Sequence, residues 1–336
     1  MTTVTVAAQT VPEDHYSHHE GRGDTPMRSN PEVIHRDLTT LEVTTGMRVC
    51  EIGTGSGYSG GLMAALVGPT GRVTSLDIDP YLIQWARIIH HELGINNVHC
   101  VTADGTHGFP ADAPYQRLIA WCTPPLLPAT WVEQIADGGI IVTPLPIAAM
   151  PALTVVAKIR VTDGQPRVEA TFNGGYMPTT AAPSESDVPT RWVDWEYRLP
   201  DPSWISVAWR DQDDERNTGA RATLDLLRTD SYRTHYTGNT IDWTSWRTWA
   251  AATGDPHLTV AEVKPNYPAV GHSTPASAAV LQPDGLILAD SPTSTSLEVL
   301  RNWLTGWENA GRPSPESYSA TLTSHGLDGW NLRLVR

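Results

Sequence analysis

Residues 49 to 57 read Val-Cys-Glu-Ile-Gly-Thr-Gly-Ser-Gly, an apolar strand that carries Glu51 and then meets glycines at 53, 55 and 57. Lacking a Cβ, such residues let the backbone turn sharply and let a ligand approach it closely. The apolar segment Gly61 to Val67 that follows suits a helix whose N-terminal amides would face that ligand. The spacing separates two ligand classes. A dinucleotide fingerprint, G-x-G-x-x-G, needs its third glycine at position 58 when counted from Gly53, and that residue is Tyr58. The pattern present is E-x-G-x-G-x-G, which favours a nucleoside sulfonium over a pyrophosphate. The plain alternative is a tight turn with no ligand.

The next elements argue against the plain turn. Arg72 to Ile78 is a second buried-strand pattern and places Asp77 at its C-terminal end, where a carboxylate can accept hydrogen bonds from ribose hydroxyls. Tyr81 to Leu93 carries apolar residues at a helical period and is stopped by Gly94. A third strand, Val98 to Thr102, leads to Asp104, beside the same crevice and able to accept from an adenine amino group. A strand over 116–121, a helix over 129–135 and a strand over 140–143 follow, the last entered through Asp137-Gly138-Gly139. This alternation predicts an α/β fold with a central, mostly parallel sheet. Its ligands belong at the carboxyl ends of the strands.

The stretches VCEIGTGSGYSGGLMAALVGPTGRVTSLDIDP, TADGTHGFPADAPYQRLIA and DGGIIVTPL resemble the protein L-isoaspartyl O-methyltransferase family, over residues 45–145. The D-G-x-x-G motif, Asp104, Gly105 and Gly108, followed by Ala113-Pro114-Tyr115, is its most specific part. The resemblance implies a Rossmann-like class I methyltransferase domain with S-adenosyl-L-methionine as cofactor. It assigns to the cofactor site Glu51, Gly53, Thr54, Gly55, Ser56, Gly57, Tyr58, Asp77, Ile78, Asp104 and Gly105. Upstream, Met27 to Pro31 reads MRSNP and resembles the family's I-S-x-P segment. That likeness makes Ser29 the catalytic candidate beside the methyl acceptor, with Arg28, Asn30 and Pro31 as substrate contacts. Ser29 or Asn30 also reads as the cap of a helix over 32–41.

Three departures from the repair enzymes of this family stand out. Only about fifty residues precede the glycine loop, with GRGDTPMRSN where a glycine-glutamine segment is expected. Gln116 replaces the acid usual after A-P-Y, and about 190 residues follow the core. This arrangement resembles the branch that methylates an aspartate of a modified ribosomal peptide, the ester then collapsing to aspartimide or isoaspartate. The partner expected is therefore a peptide, pre-cyclised before methylation. The alternatives are an L-isoaspartyl protein-repair methyltransferase and a non-catalytic scaffold that keeps a nucleoside pocket and binds peptide.

Composition narrows the setting. A formal net charge of −14 argues against a nucleic-acid partner, which calls for clustered lysine and arginine. No apolar run approaches a membrane span, and the N-terminus lacks a signal peptide's basic start. Cys50, Cys100 and Cys122 are odd in number, and two sit in expected buried strands, so a reduced cytoplasmic protein is expected. Residues 1–25 read as polar, mobile and suited to closing over a substrate. His15, His18 and His19 lack the carboxylate or cysteine framework that would complete a metal site, so no metal is expected.

The expected domains are an N-terminal substrate-side segment at 1–40, a cofactor-binding domain at 41–180 and an α+β domain at 190–336 concerned with peptide recognition. Strands over 153–161 and 167–172 would complete the first sheet, and 177–189 reads as a linker. Beyond it come helices over 220–228 and 296–310 and strands over 257–262, 278–281, 317–323 and 330–335. Ten of the thirteen tryptophans lie beyond residue 151, as packing for a small domain or as anchors for a peptide. Gly57-Tyr58-Ser59-Gly60-Gly61 formally matches a hydrolase elbow, G-x-S-x-G, but the cofactor acids account for that loop better. Gly271-His272-Ser273 has no acid at a known spacing to complete a triad.

Overall fold

The computed structural model describes residues 3–25, 29–180, 191–229 and 231–335. The chain divides into two compact units: Met1–Leu145 with Val156–Ser186 and Ala320–Leu332, and Pro146–Val155 with Asp187–Ser319 and Arg333–Arg336.

Residues 3–25 are not the mobile arm expected. Helices α1 (Thr3–Thr10) and α2 (Glu13–Ser17) lead into a short hairpin of β1 (His18–His19) and β2 (Gly23–Asp24). Val4, Ala7, Val11 and Tyr16 are buried in the core of the first unit. Their spacing of three to five residues is an apolar stripe, masked in the sequence by the polar residues between them. Helix α3 (Pro31–Leu41) starts where predicted, with Asn30 as its cap accepting from the Glu32 amide at 2.9 Å.

Strand–helix alternation then runs as β3 (Arg48–Ile52), α4 (Tyr58–Val67), β4 (Arg72–Asp77), α5 (Pro80–Glu92) and β5 (Val98–Thr102). Next come β6 (Tyr115–Ala120), β7 (Leu127–Pro128), α6 (Ala129–Glu133), β8 (Ile135–Pro146), β9 (Thr154–Thr162) and β10 (Gln165–Phe172). The seven-stranded sheet has the order β10-β9-β8-β6-β3-β4-β5. Strands β3 to β6 and β8 pair in parallel, and β10 closes antiparallel on β9. This is a class I methyltransferase fold of α/β class. Its central strands are near-continuous apolar runs because both faces are covered. Strand β8 begins earlier than the predicted 140–143. The register jumps from Tyr115 opposite Ile135 to Arg117 opposite Ile140, so Asp137-Gly138-Gly139 is a bulge within the strand.

Among the described residues, the second unit is an antiparallel sheet with three α-helices. Its elements are β11 (Trp195–Tyr197), β12 (Ser203–Val207), α7 (Thr218–Arg228), β13 (Tyr232–His235), α8 (Trp243–Ala251), β14 (Leu258–Lys264), β15 (Tyr267–Thr274), β16 (Ser277–Leu281), β17 (Leu286–Ala289) and α9 (Thr295–Asn309). The strand order is β11-β12-β14-β15-β16-β17-β13. Leu224 and Leu227 of α7 pack with Ile205, Val207, Ala261 and Val280 from the strands. The last strands, β18 (Ser319–His325) and β19 (Gly329–Val335), form a three-stranded sheet with β7. There Trp330 pairs with Leu127.

Trp85, Trp131, Trp246 and Trp307 are fully buried, and none of the thirteen tryptophans is exposed. Trp246 and Trp307 meet edge to face at 5.6 Å, and the Trp307 indole donates to Ser245 Oγ at 2.7 Å. Trp246 and Trp307 thus serve as packing in the second unit. Among the described residues, no helix is long and apolar enough to cross a membrane.

Candidate functional site

Strand order reverses about β3, whose neighbours are β4 on one side and β6 on the other. The crevice outside the carboxyl ends of such strands is where an open α/β sheet can take a ligand. A cavity of about 540 Å³ opens there, within the range of small-molecule sites. The loop after β3 supplies Gly53, Thr54, Gly55 and Ser56 to its wall. The end of β4 supplies Asp77 and Ile78, and the turn after β5 supplies Asp104 and Gly105. Ser29 lines the same cavity, although 24 residues separate it from Gly53 in sequence.

The glycines are required by close approaches. Gly57 has φ +90°, and a Cβ on it would lie 2.7 Å from Ala86 Cβ on α5. A Cβ on Gly105 would lie 2.3 Å from Ile52 Cγ2. Asp77 ties the loop in place: its two carboxylate oxygens accept the amides of Gly55 and Asp79, each at 3.0 Å. Burial still raises its carboxyl above the ordinary value. Asp104 caps a short 3-10 turn by accepting from the Thr106 amide at 2.9 Å, and its side chain stays one-third exposed.

Glu51 sits deeper. It is fully buried and does not line the cavity. Ser59 Oγ donates to it, as do Ser75 Oγ at 2.6 Å and the Trp121 indole at 2.9 Å. Burial outweighs these donors and pushes the carboxyl up to about 7. Thr54 Oγ1 lies 2.6 Å from Ser75 Oγ, so a chain of hydroxyls links the loop to this buried acid. Gly57 and Tyr58 also lie outside the cavity wall. Tyr58 Oη meets His35 Nε2 at 3.0 Å on the buried side of α4. Asn30 and Pro31 start α3 and do not line the cavity, whereas Arg28 falls outside the described residues. The Arg22 guanidinium lies over the rings of Tyr81 and Trp85, at 5.2 and 5.6 Å from their centroids. Ser59, the nucleophile of the formal hydrolase elbow, is buried and spends its hydroxyl on Glu51.

Sequence reasoning missed one wall. Residues 176–180 fold over the loop that follows β6, with the Thr123 amide donating to Met177 O at 2.8 Å and the Thr179 amide to Thr123 O at 2.9 Å. Tyr176 from this segment and Trp121 from the end of β6 line the cavity and meet at 5.9 Å. The Tyr176 hydroxyl donates to Asp37, which also pairs with Arg36 at 2.7 Å. The sequence reads 177–189 as a linker, yet residues 177–180 of it line the cavity.

The matched region bears the same imprint. A sequence model described as protein-L-isoaspartate(D-aspartate) O-methyltransferase matches residues 3–182. That is more than half of the 336 residues. The chain belongs to this family. A protein-L-isoaspartate O-methyltransferase of Ignicoccus hospitalis is 35% identical over 156 residues, covering 44% of this chain and 72% of the relative. One from Methanococcus maripaludis is 39% identical over 105 residues, or 31% of this chain, which spans 50% of that relative's length. A solved structure described as a protein-L-isoaspartate O-methyltransferase aligns with 99% of this chain and 94% of its own, at a TM-score of 0.50 and 17% identity. That likeness is one of fold. It extends past the matched region, so a long C-terminal part does not set this chain apart from every structure of that description.

Proposed function

We propose that the chain is an S-adenosyl-L-methionine-dependent O-methyltransferase that esterifies the side-chain carboxylate of L-isoaspartyl residues in peptides or proteins. One observation carries the reading. Gly53 to Ser56, Asp77, Asp104 and Ser29 come from four separate segments and converge on a single cavity, in a chain of this family. The residues suit the cofactor. Asp77 offers carboxylate oxygens at the strand end for ribose hydroxyls, Asp104 can accept from an adenine amino group, and the bare glycine backbone leaves space for the nucleoside. When bound, S-adenosyl-L-methionine supplies an electrophilic methyl group.

The chain's own residues then have little proton chemistry to perform. A side-chain carboxylate is already ionised near neutral pH and is itself the nucleophile. The protein must desolvate it and hold one oxygen in line, a matter of orientation. Ser29 is assigned that role by a hydrogen bond to the acceptor carboxylate. Trp121 and Tyr176 form an apolar, water-excluding wall nearby.

A finer reading has the acceptor as an aspartate in a constrained ribosomal peptide. It rests on the GRGDTPMRSN segment, which stands where the repair enzymes are expected to carry a glycine-glutamine segment. The second unit lends it less weight, because the solved isoaspartate methyltransferase structure is also covered over 94% of its length. Labelled S-adenosyl-L-methionine, offered with an isoaspartyl peptide, its aspartyl isomer and the peptide encoded beside this chain, separates the readings. Methyl gain on the isoaspartyl peptide supports the proposal. Methylation of the dedicated peptide alone replaces it with peptide tailoring, and no transfer to any acceptor refutes both.

A further inference from the structure

The second unit brings two imidazoles and a carboxylate to one place. Asp255-Pro256-His257 forms the turn that enters β14, and His272 lies on the adjacent strand β15. Pairing of Leu258 with His272, together with a Ser273 amide bond to His257 O at 3.0 Å, sets the two histidines side by side. Their rings are 5.4 Å apart. The His257 amide donates to Asp255 Oδ1 at 2.8 Å, which fixes the turn, and His257 Nδ1 lies 3.6 Å from the same oxygen. One donor atom from each of Asp255, His257 and His272 lies within 4.8 Å of the other two.

We propose that Asp255, His257 and His272 form a binding site for a divalent transition-metal ion of the zinc class, with water completing the coordination. Two imidazoles and one carboxylate are a donor set suited to such ions. His272 is the fixed point. It is buried, the Trp303 ring stands edge-on to it at 5.9 Å, and its Nδ1 is 3.0 Å from Ser296 Oγ in the first turn of α9. A ring nitrogen held in this way leaves the other, Nε2, to bind the ion in a set tautomer and orientation. Metal–ligand bonds of about 2.1 Å put tetrahedral ligands roughly 3.4 Å apart, so the present separations must close by about an ångström. Asp255 and His257 can supply that movement, since their side chains are 25% and 37% exposed. Bound metal would clamp the 255–257 turn to β15 and, through Ser296, to α9.

A serine-hydrolase reading of the same residues fails on access. Ser296 is fully buried, and Ser273 Oγ is engaged by Thr259 Oγ1 at 2.5 Å and the Trp209 indole at 3.2 Å.

The test is calorimetric titration of chelator-treated full-length protein with Zn2+, with Co2+ as a spectroscopic probe of imidazole–carboxylate coordination. The expected result is one equivalent bound per chain and a melting temperature raised by metal. His257→Ala and Asp255→Asn, at partly exposed positions, should weaken binding at least tenfold while melting like the wild type without metal. Ser296→Ala should weaken it by roughly tenfold, the low end for loss of an outer partner of a ligating histidine. Absence of binding to the wild type overturns the proposal. Undiminished binding to His257→Ala also overturns it, and places the ion elsewhere, as at His15, His18 and His19.

Discussion

Glu51→Gln should flatten the pH dependence of stability in the unit that holds the cavity. Glu51 is fully buried, and its carboxyl is pushed from 4.5 up to about 7 by burial, against the pull of Ser59, Ser75 and Trp121. Below pH 4.5 the group is protonated whether the chain is folded or not, and it contributes no slope. Between about 4.5 and 7 the unfolded chain releases the proton while the folded chain keeps it, so stability falls as pH rises. Above 7 the loss is complete and constant. A shift of this size corresponds to about 3 kcal/mol, at 1.36 kcal/mol for each unit. Glutamine does not titrate, its carbonyl can still accept from Trp121, and the Ser75 hydroxyl can turn to accept from its amide. About 2.5 kcal/mol of this falls between pH 5 and pH 8, because part is already lost at pH 5. At 2–4 °C for each kcal/mol, the melting-temperature gap between variant and wild type should widen by roughly 5–10 °C over that window in favour of the variant. Near-ultraviolet circular dichroism at constant ionic strength measures it. Parallel melting-temperature profiles for the two proteins would refute the buried, proton-retaining carboxyl.

Gly57→Ala combines a positive φ with a Cβ placed 2.7 Å from Ala86 Cβ, and should destabilise by about 2–4 kcal/mol, read as a lowered unfolding midpoint. Unchanged stability would mean that α4 and α5 can separate at this contact. Ser29→Ala should lower kcat for an isoaspartyl acceptor at least tenfold while leaving the affinity for S-adenosylhomocysteine as it was. An equal loss of both would place Ser29 in the cofactor's support instead.

Much of the first unit was legible because its signals are local. Glycines at alternate positions after an apolar strand, an acid at the end of β4 and the D-G-x-x-G turn each mark their own structure. Asn30-Pro31 likewise announces a helix start by capping chemistry. What was not legible depended on distant partners. The full burial of Glu51 and its acceptance from Ser75 and Trp121 show only once the strands are paired. The roof at 176–180 is built on backbone bonds to Thr123, which no local pattern encodes. Strand β15 contains Pro268, Gly271 and His272, residues that break a strand pattern. Gly271 is there because a Cβ would lie 2.1 Å from Ala279 O on β16. The Asp255, His257 and His272 cluster was invisible for the same reason, since strand pairing brings it together and sequence spacing does not.

The central claim is that the cavity at the ends of β3, β4 and β5 holds S-adenosyl-L-methionine, with Asp77 as a principal contact. Titrating S-adenosylhomocysteine into the wild type and Asp77→Ala by calorimetry tests it most directly. The account predicts one molecule bound per wild-type chain and a loss of roughly 10–100-fold in affinity in the variant, the range for a hydrogen bond to a charged group. Absence of binding by the wild type, or equal affinity in both proteins, would contradict it.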